Sequence, residues 1–126
     1  MECGMTMTGP GHWRRQNQCL YLSLAAAAGQ QALQNAGWDA SSVDLILLAT
    51  SSPDDLFGSA PKVQALIGAG SAVAFDLTAA CSGFLFSLVT AAQYLRTGAM
   101  TRALVIGADQ LSRWVDWDDR RSCVLF

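Results

Sequence analysis

The sequence predicts an α/β fold built on a mainly parallel sheet. Three short, nearly uncharged apolar runs have the length of buried strands. Stretches rich in helix formers separate them, and glycine or proline marks the junctions. Strands that alternate with helices are joined by crossovers, and crossovers go with parallel pairing.

The elements follow in order. Residues 1–19 show no apolar period and carry Gly4, Gly9, Pro10 and Gly11, so an irregular segment is expected there. Leu20 to Ala36 is rich in Ala, Leu and Gln and reads as a helix, with Gly37 as its stop. Asp44 to Thr50 (DLILLAT) is a continuous apolar run and reads as a parallel strand buried on both faces. Ser51 to Gly58 holds Pro53, Asp54 and Asp55 and reads as a loop. Ser59 is placed to cap a short helix through Ile67, with Pro61 in its first turn, where a missing N–H costs little.

Ala72 to Asp76 (AVAFD) is the second strand. Cys81 to Thr97 is a long helix stopped by Gly98. Its apolar residues circle most of the axis, which predicts burial in the middle of the fold. Arg102 to Ala108 is the third strand, 112–121 a charged, Trp-rich loop, and Ser122 to Phe126 the start of another strand.

Composition narrows the function classes. Of 126 residues, 52% are hydrophobic and only 14% charged, which is apolar for the surface of so small a unit. Either the helices are buried on several sides or part of the apolar surface belongs against something further. A net charge of −2 gives no basis for nucleic-acid binding. No apolar run approaches the ~20 residues of a membrane span, and the N-terminus lacks the basic-then-apolar order of a signal peptide. The four cysteines (Cys3, Cys19, Cys81, Cys123) form no CxxC pair and His12 is the only histidine, so no metal site is expected. Reduced thiols and a cytoplasmic location are the expectation.

The segment with chemical content is Asp76-Leu-Thr-Ala-Ala-Cys81-Ser-Gly-Phe84. A strand ends, small residues follow, and a cysteine stands where a helix begins. Backbone N–H groups and a partial positive charge at a helix start favour thiolate over thiol and can receive an oxyanion. Ala79, Ala80 and Gly83 leave space for an acyl thioester. The alternative is a small buried core thiol, which many cysteines are, and the local pattern leaves both open.

Beyond that pattern, the stretch 44–126 resembles the β-ketoacyl-acyl-carrier-protein synthase III family, condensing enzymes of thiolase-like fold. The resemblance is carried by DLILLATSSPD (44–54), VQALIGA (63–69), AFDLTAACSGF (74–84), YLRTGAMTRALVIGAD (94–109) and DWDDRRSCVLF (116–126), with LAAAAGQQALQNAGW (24–38) before them. It implies that 20–126 is the N-terminal half of such a fold, truncated after Phe126, with residues 1–19 diverged. It also implies that Cys81 is the acyl-accepting nucleophile at the start of the buried helix. The reaction implied is decarboxylating condensation of an acyl-CoA, typically acetyl-CoA, with malonyl-acyl carrier protein, the first step of fatty acid elongation. The partners are then acyl carrier protein, acyl-CoA and a second copy in a homodimer. No cofactor is needed beyond the coenzyme A thioester that serves as substrate.

The same resemblance assigns two further positions. Arg120 matches the arginine of an Asp-x-x-Asp-Arg loop that contacts the adenine end of coenzyme A; a solvated charge among Asp116, Asp118 and Asp119 is the alternative. Phe57 matches a phenylalanine that closes the acyl pocket of the dimer partner, with a core position as the alternative. Trp114 and Trp117 are read as local packing or as tunnel walls. The family pairs its cysteine with a histidine and an asparagine. His12, Asn17 and Asn35 match neither, so these 126 residues alone are expected to be inactive. The reading of a different class is a catalytically silent fragment, or a half that only binds a carrier protein or subunit.

Overall fold

The computed structural model describes residues 12–53 and 56–124, with side chains from residue 20 onward. Helix α1 spans His12–Ala36, β1 Leu45–Ala49, α2 Ala60–Ile67, β2 Val73–Leu77, α3 Gly83–Arg96, β3 Ala103–Gly107 and α4 Arg120–Cys123. Single 3-10 turns lie at Ala40–Ser42, Ala80–Ser82 and Leu111–Arg113. The sheet has the order β2-β1-β3 and both pairings are parallel.

β1 is central, and this explains its unbroken apolar run. Ile46 and Leu48 face α1 and α2, in one cluster with Tyr21, Ala25, Leu33, Val63, Ile67, Leu104 and Ile106. Leu45 and Leu47 face α3, where Ala91 joins them. Every residue of the strand is buried, as expected for a parallel strand covered on both faces.

Three expectations need correction. The helix expected from Leu20 begins at His12; the intervening HWRRQNQC holds no glycine or proline, and its Arg and Gln favour helix. α3 is not buried all round. Only Gly83, Ser87 and Ala91 are buried, a small-residue stripe facing the sheet. Phe84, Leu85, Phe86, Leu88, Val89 and Leu95 each remain about half exposed. A three-stranded sheet covers one stripe of a helix and no more. The strand expected from Ser122 is instead α4, because the Asp119 carboxylate accepts from the Arg121 N–H at 2.9 Å and caps a helical turn. Leu125 and Phe126 lie outside the described residues.

The register places Ala49 beside both Leu77 and Gly107, so all three strands finish at one edge. The segments that follow them converge there, as the crevice rule for parallel sheets requires. Leu77 and Thr50 are joined by the Thr50 N–H to the Leu77 carbonyl at 3.2 Å. The Thr78 hydroxyl donates to the Thr50 carbonyl at 2.8 Å.

Ser59 occupies the N-cap of α2 but makes no side-chain cap bond. Asp76 of β2 does so from across the fold, accepting from the Ser59 N–H at 2.8 Å and the Ala60 N–H at 2.6 Å. Gly58 makes this possible. Its φ is +84°, and a Cβ there would stand 3.3 Å from the Asp76 carboxylate. Asp76→Ala should therefore cost about 1–2 kcal/mol of stability, with Asn recovering part of it through its remaining acceptor. Urea unfolding of the two variants checks this; equal midpoints for Ala and Asp would refute it.

At the opposite edge, Asp44 accepts from the Thr101 hydroxyl at 2.6 Å and from the N–H groups of Thr101 and Arg102 at 2.8 and 3.0 Å. The Thr101 hydroxyl, then these two N–H groups, hold its carboxyl below the ordinary value of 3.8. A depressed folded value means that the contribution is present above the unfolded value and is lost as pH falls through the folded one. The stability difference between the parent and Asp44→Asn should thus narrow below about pH 4. Urea midpoints measured from pH 7 downward test it, and a gap that widens in acid would contradict it.

Candidate active site

Cys81 sits in the 3-10 turn between β2 and α3 and is exposed. The turn is sharp. Ala79 has φ −150° and ψ 40°, and Ala80 adopts a left-handed φ of +45°. For an L-residue with a Cβ this conformation costs roughly 1–2 kcal/mol, and such strain gathers where a side chain must be aimed. Ser82 follows as the N-cap of α3, and Gly83, the first helical residue, packs on Ala49 of β1.

The thiol opens onto a cavity of about 250 Å³ lined by Ala49, Ala80, Cys81, Phe84, Gly107, Ala108 and Asp109. All three strand ends contribute to this edge. Gly107 lets the Phe84 ring lie against β3, since a Cβ at 107 would meet Phe84 Cδ2 at 3.1 Å. Besides the thiol, Asp109 is the one ionisable group among the described residues of the lining.

Asp109 has a second set of contacts. One carboxylate oxygen accepts from the Ser51 N–H at 2.7 Å, the Ser52 hydroxyl at 2.9 Å and the Thr50 hydroxyl at 3.3 Å. The Ser52 hydroxyl oxygen in turn accepts from the Gln110 N–H at 2.8 Å, and Arg113 donates to the carbonyls of Ser52 and Pro53. The loop after β1 is thereby bound to the segment after β3.

Neither Arg120 nor Phe57 lines the cavity. Phe57 is 90% exposed in the loop after β1, beside a fully exposed Leu56. Arg120 is exposed at the first position of α4. Its neighbour Arg121 is committed to Asp119, with a 3.0 Å ion pair; the Arg121 side-chain and backbone donors hold the Asp119 carboxyl below its ordinary value. No such pairing engages Arg120 among the described residues. Trp114 and Trp117 are 70% and 64% exposed, so they do not pack locally as the sequence suggested. Among the described residues, no group of three or more His, Cys, Asp or Glu could hold a metal.

Asp109 and Ala80 were not legible as site residues. A signal existed for Asp109, a lone acid directly beyond an apolar strand at the edge where parallel sheets hold ligands.

The comparisons with known proteins agree with this geometry. The profile of the family described as 3-oxoacyl-[acyl-carrier-protein (ACP)] synthase III matches residues 75–126, which include Cys81 and Asp109. The chain is 97% identical over 104 residues to the β-ketoacyl-[acyl-carrier-protein] synthase III of Synechococcus sp. strain RCC307, covering 82% of this chain and 31% of that protein. It is 73% identical over 123 residues to the protein of the same name from Synechococcus sp. strain WH7803, covering 96% and 36%. The chain therefore spans about a third of the length of the curated relatives it matches. Among solved structures, the 3-oxoacyl-[acyl-carrier-protein] synthase III of Aquifex aeolicus superposes with a TM-score of 0.77 at 45% identity, over 81% of this chain and 33% of the other. The Pseudomonas aeruginosa counterpart gives 0.76 at 36%, over 82% and 31%. With motif, strand order and sequence in agreement, the chain matches the N-terminal portion of β-ketoacyl-acyl-carrier-protein synthase III proteins and shares their thiolase-like α/β fold.

Proposed function

We propose that this chain supplies the nucleophile-bearing portion of an acyltransferase that condenses an acyl-CoA, acetyl-CoA foremost, with malonyl-acyl carrier protein to begin fatty acid synthesis. The observation that carries the reading is the exposed Cys81 thiol, aimed by a strained turn into a cavity at the sheet's ligand-binding edge. As a thiolate, Cys81 Sγ attacks the thioester carbonyl of the acyl-CoA, and the coenzyme A thiolate leaves with a proton. Malonyl-acyl carrier protein then loses carbon dioxide. Its carbanion attacks the acyl-Cys81 carbonyl, the C–S bond breaks, and β-ketoacyl-acyl carrier protein departs while the thiolate is restored.

Arg120 is the coenzyme contact in this reading. A planar guanidinium not held by a carboxylate of the described residues can stack on a base and pair with phosphate. Phe57 closes the acyl site of a second copy, and the homodimer forms across β2. That strand is an edge of the sheet, carries a half-exposed Val73 and has no proline, so an isologous partner would remove a pairing hazard. Among the described residues no helix is long and apolar enough to cross a membrane. A cytoplasmic site of action fits carrier-protein and coenzyme A substrates, and the chemistry calls for no bound cofactor.

Brief iodoacetamide treatment followed by peptide mapping tests the central assignment. Cys81 should be modified ahead of Cys123, Cys3 and Cys19 in the folded protein. Label on Cys3 or Cys19 with Cys81 silent would remove the nucleophile from this reading.

A further inference from the structure

We propose that Asp109 is a positioning residue that sets the shape of the acyl cavity by clamping the loop after β1. The proposal rests on the function argued above. It comes from two observations that meet at a single residue. Asp109 forms part of the cavity wall that holds Cys81. The same side chain accepts from Thr50, Ser51 and Ser52, the first residues of the loop that carries Leu56 and Phe57.

The loop is fixed at both ends by carboxylates from other strands. Asp109, just beyond β3, holds its start, and Asp76 of β2 holds its finish through Ser59 and Ala60. The two do different work. Asp76 caps α2 and lines no part of the cavity. Asp109 touches both cavity and loop, so a shift of the loop start is also a shift of the cavity wall. Three donors converge on one Asp109 oxygen, with Ser51 N–H and Ser52 Oγ at the short distances of 2.7 and 2.9 Å. Such a site fixes the acceptor's position from three directions. An acyl chain entering beside Cys81 meets a wall held by that geometry. Acyl chain length is therefore read in part through Asp109, without Asp109 taking a proton or contacting the reacting carbonyl.

Acylation of Cys81 by acetyl-CoA and by octanoyl-CoA, followed by intact mass in a family-length protein carrying these residues, gives a selectivity ratio that tests the idea. Asp109→Ala removes the acceptor, and Asp109→Glu keeps the charge but moves the acceptor by one methylene. Both are expected to change the ratio by about tenfold or more, the scale of effect that small misplacements have on reacting geometry. Asp109→Asn keeps an oxygen in place and should stay within about threefold of the parent. Asp44→Asn, at the far edge of the sheet, should leave the ratio unchanged. A ratio unmoved in the Ala and Glu variants, with lower thermal stability as the only effect, would overturn the proposal. So would an Asn variant as altered as Ala, since charge rather than acceptor position would then govern. If Ala fails to fold, Glu and Asn carry the same decision. Should the parent protein itself take no acyl group, the proposed function and this inference fall together; an acylated parent with an unmoved ratio sinks this inference alone.

Discussion

Exchanging Cys81 for serine in a family-length protein is expected to lower β-ketoacyl formation by a factor of about a thousand or more. The oxygen nucleophile occupies the same turn, so the backbone at Ala80 and the cavity should persist. What is lost is ionisation. A serine hydroxyl is a weak nucleophile without an adjacent base, whereas a thiol is already partly ionised near neutrality and is intrinsically reactive. The contrast with Cys123→Ser isolates the effect. Cys123 closes α4 and does not line the cavity, so its exchange should leave turnover within about twofold of the parent. Product formation in a discontinuous assay, with circular dichroism to show that both variants fold, gives the measurement. Near-parental turnover in Cys81→Ser would mean that acyl transfer does not pass through this residue.

The 126 residues on their own are expected to form no β-ketoacyl product from acetyl-CoA and malonyl-acyl carrier protein. Decarboxylation requires donors to stabilise the enolate as carbon dioxide departs. The family places a histidine and an asparagine there, and among the described residues nothing lining the cavity substitutes for them. Its lining is Ala, Gly, Phe, Cys and Asp, which offers no cationic or amide side-chain donor. The half-exposed apolar face of α3 adds a second obstacle, because it leaves a contiguous patch of Phe, Leu and Val in water. Supplying the remainder of a family-length chain should restore both coverage and turnover. Sustained product from the 126 residues alone would overturn the mechanism argued here.

The legible parts of the fold were those governed by local pattern. DLILLAT announced β1 because a strand covered on both faces must be apolar throughout. AVAFD and RALVIGA located β2 and β3 to within a residue. Ser59 and Pro61 located the start of α2, yet the bond that caps it comes from Asp76, 17 residues away. No local rule reports such a contact. The same holds for Asp109, whose partners lie 57 to 59 residues earlier. α3 misled for a physical reason. Its composition records the surroundings it is suited to, while its burial here is decided by the single small-residue stripe that meets three strands. Cys81 was suggested by its place at a helix start, and the resemblance of AFDLTAACSGF to the family raised that suggestion to an assignment. The left-handed Ala80 that aims it had no sequence signal, since alanine rarely adopts that conformation.

The strand order β2-β1-β3 has a consequence for synthesis on the ribosome. The central strand is made first, and both neighbours arrive later. Leu45 pairs with Val73 on one side and with Ala103 on the other. At about 5–20 residues per second, the nascent Leu45–Ala49 segment waits roughly three to twelve seconds for its second neighbour. During that interval it is an uncharged, proline-free apolar segment with an unpaired edge, the kind of sequence that associates with its like. Asp44 immediately before it and Pro53, Asp54 and Asp55 just after it flank the segment with gatekeepers. Asp44, which later anchors the start of β3 through Thr101 and Arg102, thus keeps its strand soluble before it has anything to anchor.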